Sequence, residues 1–143
     1  MKRITNSKEE TQAFARNFAK KLHGGELVLL QGDLGSGKTT FVAGLINYFI
    51  PHARVLSPTF TIVRHYKVEH SRISDVYHVD LYRLETQSEI EKLHIWELIY
   101  KPKYVILIEW AEKLGVLLPK KRIDVNITIL SNDRREIITK HYG

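Results

Sequence analysis

The run Gly32-Asp33-Leu34-Gly35-Ser36-Gly37-Lys38-Thr39 fits G-x-x-x-x-G-K-[ST] at every fixed position. In that spacing the glycines let the backbone curl, so that successive N–H groups point inward at phosphate oxygens. Leu34, Gly35, Ser36 and Gly37 therefore supply the cradle. Lys38 brings a point charge to the β- and γ-phosphates, and the Thr39 hydroxyl is suited to Mg²⁺. A helix opening at this point adds the positive end of its dipole beneath the phosphates.

Such a loop needs a buried strand before it and a helix after it. Leu27-Val28-Leu29-Leu30 is a short apolar run of the kind buried on both faces of a sheet. After Thr39, apolar residues recur at Val42, Leu45, Ile46 and Phe49 with helical spacing, and Pro51 marks the stop. The context turns a chance-prone pattern into an expected nucleoside triphosphate site with Mg²⁺.

A magnesium–nucleotide site needs a further carboxylate near the loop. Tyr104-Val105-Ile106-Leu107-Ile108-Glu109 is an apolar run closed by an acid. Glu109 would thus stand at the carboxyl end of a strand, ready to hold Mg²⁺ directly or through water. Asp would be commoner there. Asp80 closes another strand-like run, and could orient or deprotonate an attacking water, bind a metal-bound water, or cap the segment that follows. Ser57-Pro58-Thr59 reads as a switch loop with two hydroxyls for a γ-phosphate, or as a plain strand break. Trp110 has two readings, packing beside the nucleotide or in the core. Trp96 reads as core, and His78 as a satisfied structural histidine. No H-x-x-x-H pair occurs, so the seven histidines have no assigned metal role.

The elements that must position these groups follow from pattern. Ser7-x-x-Glu10 is a capping box, and Thr11, Phe14, Ala15, Phe18, Ala19 and Leu22 share one helical face up to Gly24-Gly25. Val55-Leu56 looks like a strand start. Phe60 to Tyr66 and Ile73 to Leu81 read as strands. Thr86-x-x-Glu89 is a second capping box, with Ile90, Leu93 and Leu98 following on one side until Pro102. Trp110 to Leu114 suits a short helix. Ile123 to Ile129 alternates as a half-buried strand, Asn132-Asp133 turns, and Arg135 to Tyr142 returns as its hairpin partner. The sum is α/β, with both parallel and antiparallel strands.

Composition bounds the rest. The 143 residues fit one domain, and 43% hydrophobic with 27% charged content is that of an ordinary globular protein. The absence of cysteine excludes a disulfide framework, a thiolate zinc site and cysteine catalysis. No run approaches the roughly 18 apolar residues of a membrane span. No apolar segment follows Met1-Lys2-Arg3, so a cytoplasmic protein without signal peptide is expected. The net charge of +6 lies at the chain's two ends. Residues 1–24 carry six Lys or Arg against two Glu, and residues 120–143 carry six against three acids. With no aromatic-interleaved basic strip in the sequence, solvated faces are the expected reading. A patch for RNA or for an acidic protein is the alternative.

Four blocks together resemble the TsaE family, the small ATPase of bacterial tRNA threonylcarbamoyladenosine synthesis. They are Gly32 to Phe41; Ser57-Pro58-Thr59-Phe60-Thr61-Ile62-Val63; His78-Val79-Asp80-Leu81-Tyr82-Arg83-Leu84; and Ile108-Glu109-Trp110-Ala111-Glu112. The second half of this set is far more specific than the phosphate loop alone. The resemblance implies a P-loop NTPase-like α/β fold, a mixed sheet flanked by helices with antiparallel C-terminal strands. It implies ATP or ADP as ligand, with Mg²⁺ on Thr39 and Glu109. Thr40, Asp80 and Trp110 match positions tied to activity, which makes Lys38, Asp80 and Glu109 the candidate catalytic set. Thr11 and Arg134 match positions beside the nucleotide. The implied partners are the TsaD and TsaB proteins, with the tRNA met through them, and ATP hydrolysis would reset that complex between turnovers. His94, where many members have Gly, and Ser36, where Ala is common, are departures outside the phosphate chemistry.

Three other readings stay open on sequence: a small-molecule kinase, a GTPase switch, and a module that holds nucleotide without useful turnover, which overlaps the favoured one. A small-molecule kinase would need an acceptor site and a lid with arginines, whereas Arg54, Arg64 and Arg83 are scattered and no lid-sized insertion exists. A GTPase would need the base-reading N-K-x-D pattern, which is absent.

Overall fold

In the computed structural model, which describes residues 1–56 and 62–143, the chain forms a seven-stranded mixed sheet with helices on both faces. The strands are β1 (Lys2–Thr5), β2 (Leu27–Gln31), β3 (Val63–Lys67), β4 (Asp75–Asp80), β5 (Tyr104–Glu109), β6 (Arg122–Ile129) and β7 (Arg135–Tyr142). The helices are α1 (Lys8–Lys20), α2 (Lys38–Phe49) and the short α3 (Gln87–Glu91), with 3₁₀ turns at His94–Glu97 and Ala111–Leu117. The strand order is β1-β7-β6-β2-β5-β4-β3. The central four, β6, β2, β5 and β4, are parallel, whereas β7, β1 and β3 pair antiparallel at the margins.

The apolar runs of β2 and β5 are buried on both faces because each alternates between two cores. Val28, Leu30, Val105 and Leu107 pack under α1 and α2 with Phe41, Leu45 and Ile46. Leu27, Leu29, Ile106 and Ile108 face the other way, into a cluster completed by Leu81, Ile90, Ile95 and Leu114. Continuous apolar strands are what a parallel sheet covered on both sides requires. Both β2 and β5 run toward one edge of the sheet, where the chain turns into the phosphate loop after Gln31 and into Trp110 after Glu109.

Helix α1 starts at Ser7, whose hydroxyl accepts from the Glu10 backbone N–H at 3.1 Å. Glu10 reaches back to the Asn6 N–H at 3.2 Å, one residue earlier than an ordinary capping box. Phe14 and Phe18 meet Phe41 of α2 with ring centroids 6.2 and 5.5 Å apart. The full reciprocal capping box is at Thr86 and Glu89.

Several boundaries differ from the sequence pattern. β1 is four residues long with only Thr5 buried, too short to show periodicity. The strand expected from Ile73 starts at Asp75, and Val55-Leu56 is irregular. The helical reading over 86–98 divides in two because Leu93 is extended (φ −69°, ψ 140°). Ser57-Pro58-Thr59 and the Phe60-Thr61 start of the next expected strand lie outside the described residues. The α/β class and the antiparallel β6–β7 hairpin are as the sequence predicts.

Helices α1 and α2 approach closely at Gly44 of α2. A Cβ there would lie 2.5 Å from the Gln12 carbonyl oxygen and 2.9 Å from the Ala15 Cβ. Alanine gains about 1 kcal/mol of helix propensity over glycine, but overpacking costs roughly 1–3 kcal/mol. With backbone as the obstacle the clash wins. Gly44→Ala is expected to lower the thermal midpoint by several degrees, and an unchanged or raised midpoint in a circular-dichroism melt would contradict this packing.

Candidate functional site

The phosphate loop is built from backbone conformations that side chains resist. Gly32 and Gly37 have φ of 152° and 108°. A Cβ on Gly32 would also strike the Ile127 carbonyl oxygen at 2.5 Å. Gly37 is the left-handed N-cap of α2 and brings no side chain to the helix end. The first N–H groups of α2 therefore have neither a preceding turn nor a capping side chain to satisfy them. The Ser36 hydroxyl, 1% exposed, is also without a partner. An uncapped helix start beside orphaned donors is a cradle for an anion.

Lys38 lies across this cradle. Its Nζ donates to the carbonyl oxygens of Gly32 at 2.5 Å and Asp33 at 3.1 Å, and stands 4.1 Å from the centroid of the Trp110 ring. Burial pushes the ammonium below the ordinary lysine value, opposed by the charges of Glu109, Glu112, Asp80 and Asp33. Trp110 is itself in the left-handed region (φ 59°, ψ 39°), so the chain leaves β5 in a tight turn that lays the indole over the lysine. Tyr82 packs against the same indole at 5.0 Å. Lys113 holds the Tyr82 segment by donating to the Tyr82 and Leu84 carbonyl oxygens at 2.5 and 3.0 Å.

The acid expected at the end of β5 is in place. Thr39 Oγ1 lies 3.2 Å from both carboxylate oxygens of Glu109, which is 2% exposed. His78 Nε2, from β4, meets Glu109 Oε2 at 2.5 Å, and His78 is fully buried. Asp80 sits beside Glu109 in the β4–β5 register, and its Oδ1 accepts from the Tyr82 N–H at 2.9 Å. A hydroxyl and a carboxylate facing each other at the foot of a phosphate cradle fit Mg²⁺, which keeps several waters and takes other ligands from substrate phosphates. Among the described residues, no cluster of three or more His, Cys, Asp or Glu could hold a metal, so such an ion would depend on the phosphates.

Leu34, Gly35, Ser36, Gly37, Lys38, Thr39, Asp80, Glu109 and Trp110 thus line one cleft of about 300 Å³, with Tyr82. Leu34 is 73% exposed at the loop tip. Thr11 and Thr40 share a smaller cleft on the flank of the loop with Asn132 and Asp133. There the Thr11 hydroxyl is paired with Thr5 at 2.7 Å. Arg134 points from the β6–β7 turn to Asn6 Oδ1 at 3.2 Å. Its neighbour Arg135 reaches the loop instead, donating from Nε to the Ser36 carbonyl at 2.9 Å and from Nη2 to the Gly35 carbonyl at 3.2 Å. Sequence spacing gave no signal for this brace, which joins positions about 100 residues apart. The His78–Glu109 contact had one available signal, the two-residue offset that puts His78 on the same strand as Asp80. Trp96 packs against the second core, its Nε1 donating to the Ile90 carbonyl at 3.0 Å.

A buried strand, a glycine loop, an uncapped helix and a strand-end acid in a mixed sheet define a P-loop NTPase-like protein. Residues 5–137 match the family model of the threonylcarbamoyl adenosine biosynthesis protein TsaE. The chain is 44% identical over 133 residues to the tRNA threonylcarbamoyladenosine biosynthesis protein TsaE of Rickettsia bellii, covering 92% of this chain and 89% of that one. It is 37% identical to the protein of the same name from Bacillus subtilis, covering 93% and 80%. The crystal structure of Bacillus subtilis YdiB superposes with a TM-score of 0.81 at 32% identity, covering all of this chain and 86% of that one. The chain belongs to the TsaE family and so to tRNA threonylcarbamoyladenosine biosynthesis. No helix among the described residues is long and apolar enough to cross a membrane.

The buried acid depends on its neighbours. Replacing His78 by leucine leaves the Glu109 carboxylate with the Thr39 hydroxyl alone, and an unmet buried polar group costs about 1–3 kcal/mol. His78→Leu is expected to lower the thermal midpoint by several degrees in nucleotide-free protein. An unchanged midpoint would show that Glu109 needs no such partner.

Proposed function

We propose that residues 1–143 act as one domain that binds ATP and hydrolyses it with Mg²⁺. In this reading the TsaD and TsaB proteins are the partners, and hydrolysis resets their threonylcarbamoyl-transfer complex between turnovers in the cytoplasm. The observation that carries the nucleotide reading is the facing pair Thr39 and Glu109 below the uncapped start of α2. Lys38 exchanges its loop carbonyls and the indole for phosphate oxygens. Thr39 and Glu109 hold the metal, whose chemistry is to neutralise charge developing on the phosphates. Asp80 lies beside Glu109 at the strand ends, in position to orient or take a proton from the attacking water. Thr40, Thr11 and the β6–β7 turn that carries Arg134 share a cleft beside the loop, where the nucleoside would extend.

No arginine enters the phosphate cleft among the described residues, and such a finger is worth roughly 10³–10⁵ in rate. Hydrolysis by the chain alone is therefore slow and rises strongly when TsaB, TsaD and tRNA are added, as read by phosphate release. Equal rates with and without them would contradict the partner-gated reading. Transfer of label from ATP to a metabolite would favour a kinase. Lys38→Ala is expected to remove most nucleotide affinity, and Glu109→Ala to cut Mg²⁺-dependent turnover by at least tenfold. Full turnover in Glu109→Ala would move the metal acid to Asp80.

The lowered Lys38 titration adds a pH signature. A bound phosphate favours the charged ammonium, so its pKa rises on binding. ADP affinity is then flat near neutrality and falls as pH climbs through the lowered Lys38 value, with proton uptake on binding in that range. Calorimetry in two buffers of different ionisation enthalpy measures this uptake, and none at alkaline pH would contradict the exchange.

A further inference from the structure

The edge of the sheet opposite the nucleotide cleft gathers cations from segments far apart in sequence. β2, β5 and β6 start at this edge, and β7 ends there. Lys101, Lys103, Lys121 and Lys140 are all exposed, and none forms an ion pair among the described residues. The nearby carboxylates are committed locally. Asp75 is held by His65 and Ser74, Asp124 by Arg122, and Glu26 by the His23 and Gly24 N–H groups. Glu69 and Glu97 are exposed acids on segments that lead to this edge. At the site end, by contrast, Asp33, Asp80, Glu109 and Glu112 surround Lys38.

Aromatic rings lie among these cations. Lys121 stands 6.0 Å from the Tyr100 ring, which is 44% exposed, and Arg122 and Lys140 lie 4.1 and 5.2 Å from the Tyr142 ring. Tyr100, Tyr142, Lys121 and Arg122 border one open cleft of about 500 Å³ with His141. The interleaving of basic and aromatic side chains that the sequence lacks is therefore assembled by the fold. Cations that follow a phosphate backbone, next to rings on which a base can stack, are the components of an RNA-binding surface. An acidic polypeptide would use the cations but not the rings.

We propose that this edge binds a folded RNA directly, phosphates on Lys101, Lys103, Lys121 and Lys140 and an unstacked base against Tyr100 or Tyr142. The choice of tRNA as the RNA rests on the pathway to which the family belongs. The contact is additional to any made through partner proteins, and it leaves the nucleotide cleft free.

The test is fluorescence anisotropy of labelled tRNA with the full chain, without nucleotide, over a range of salt. Each phosphate contact adds about 0.7–0.9 to the slope of log affinity against log salt. The triple reversal Lys101→Glu, Lys121→Glu, Lys140→Glu should weaken binding at least tenfold and flatten that slope by about two or more. Tyr142→Ala and Tyr100→Ala should each weaken it several-fold, with little change in slope. A glutamine version of the triple variant, checked by its thermal midpoint, separates lost contact from lost fold. Reversal of exposed Lys92, away from this edge, should leave binding unchanged. Wild-type affinity in the triple variant would overturn the proposal, as would tighter binding of polyglutamate than of tRNA, which would assign the edge to an acidic protein. Hydrolysis measured on the same proteins keeps the readings apart. ATP turnover without RNA binding contradicts this inference alone, and RNA binding without turnover contradicts the nucleotide reading alone.

Discussion

The structure is organised around a carboxylate that has been taken out of water. Glu109 is 2% exposed at the end of a strand buried on both faces. A carboxylate in that position costs several kcal/mol unless its oxygens are met. β4 supplies His78, and the first turn of α2 supplies Thr39, so one side chain on β5 ties the neighbouring strand and the helix together. The same three elements carry Asp80, Lys38 and the phosphate loop. A pairing that answers a solvation cost in the free protein thereby fixes the spacing of the groups that would meet a metal and a triphosphate.

The lysine obeys a related constraint. Buried under Trp110, its ammonium has to be satisfied before any phosphate arrives, and the Gly32 and Asp33 carbonyls with the indole do so. The loop is held from outside by Arg135, which bonds the Ser36 and Gly35 carbonyls from the last hairpin. Trp110, next to this cradle, is left-handed, as His52, Ile62 and Tyr100 are elsewhere. Such conformations persist where surrounding contacts over-determine them.

Much of this was legible in the sequence, for identifiable reasons. The apolar runs of β2 and β5, the alternating β6 and the glycine spacing each carry a local signature that the fold leaves intact. The chemistry-bearing ends of those runs, Lys38, Thr39, Asp80, Glu109 and Trp110, come together because parallel strands deliver their ends to one edge. β1 escaped because four residues with one buried side chain make no pattern. The Arg135 brace and the basic–aromatic edge escaped because they are tertiary. Tyr100 meets Lys121, and Ser36 meets Arg135, only after the sheet has been assembled. For charge in particular, the sequence shows totals per segment, whereas function depends on which segments become neighbours.

A crystal structure of the chain with ADP and Mg²⁺ tests the central claim most directly. The account predicts phosphates on the N–H groups of Gly35 to Thr39 and Lys38 swung from the Gly32 carbonyl onto a phosphate oxygen. It also predicts that the Thr39 hydroxyl and Glu109 would each meet the metal, either directly at the roughly 2.0–2.1 Å usual for magnesium–oxygen bonds or by a hydrogen bond to a metal-bound water. Nucleotide bound outside this cleft, or a metal held without either Thr39 or Glu109, would contradict it.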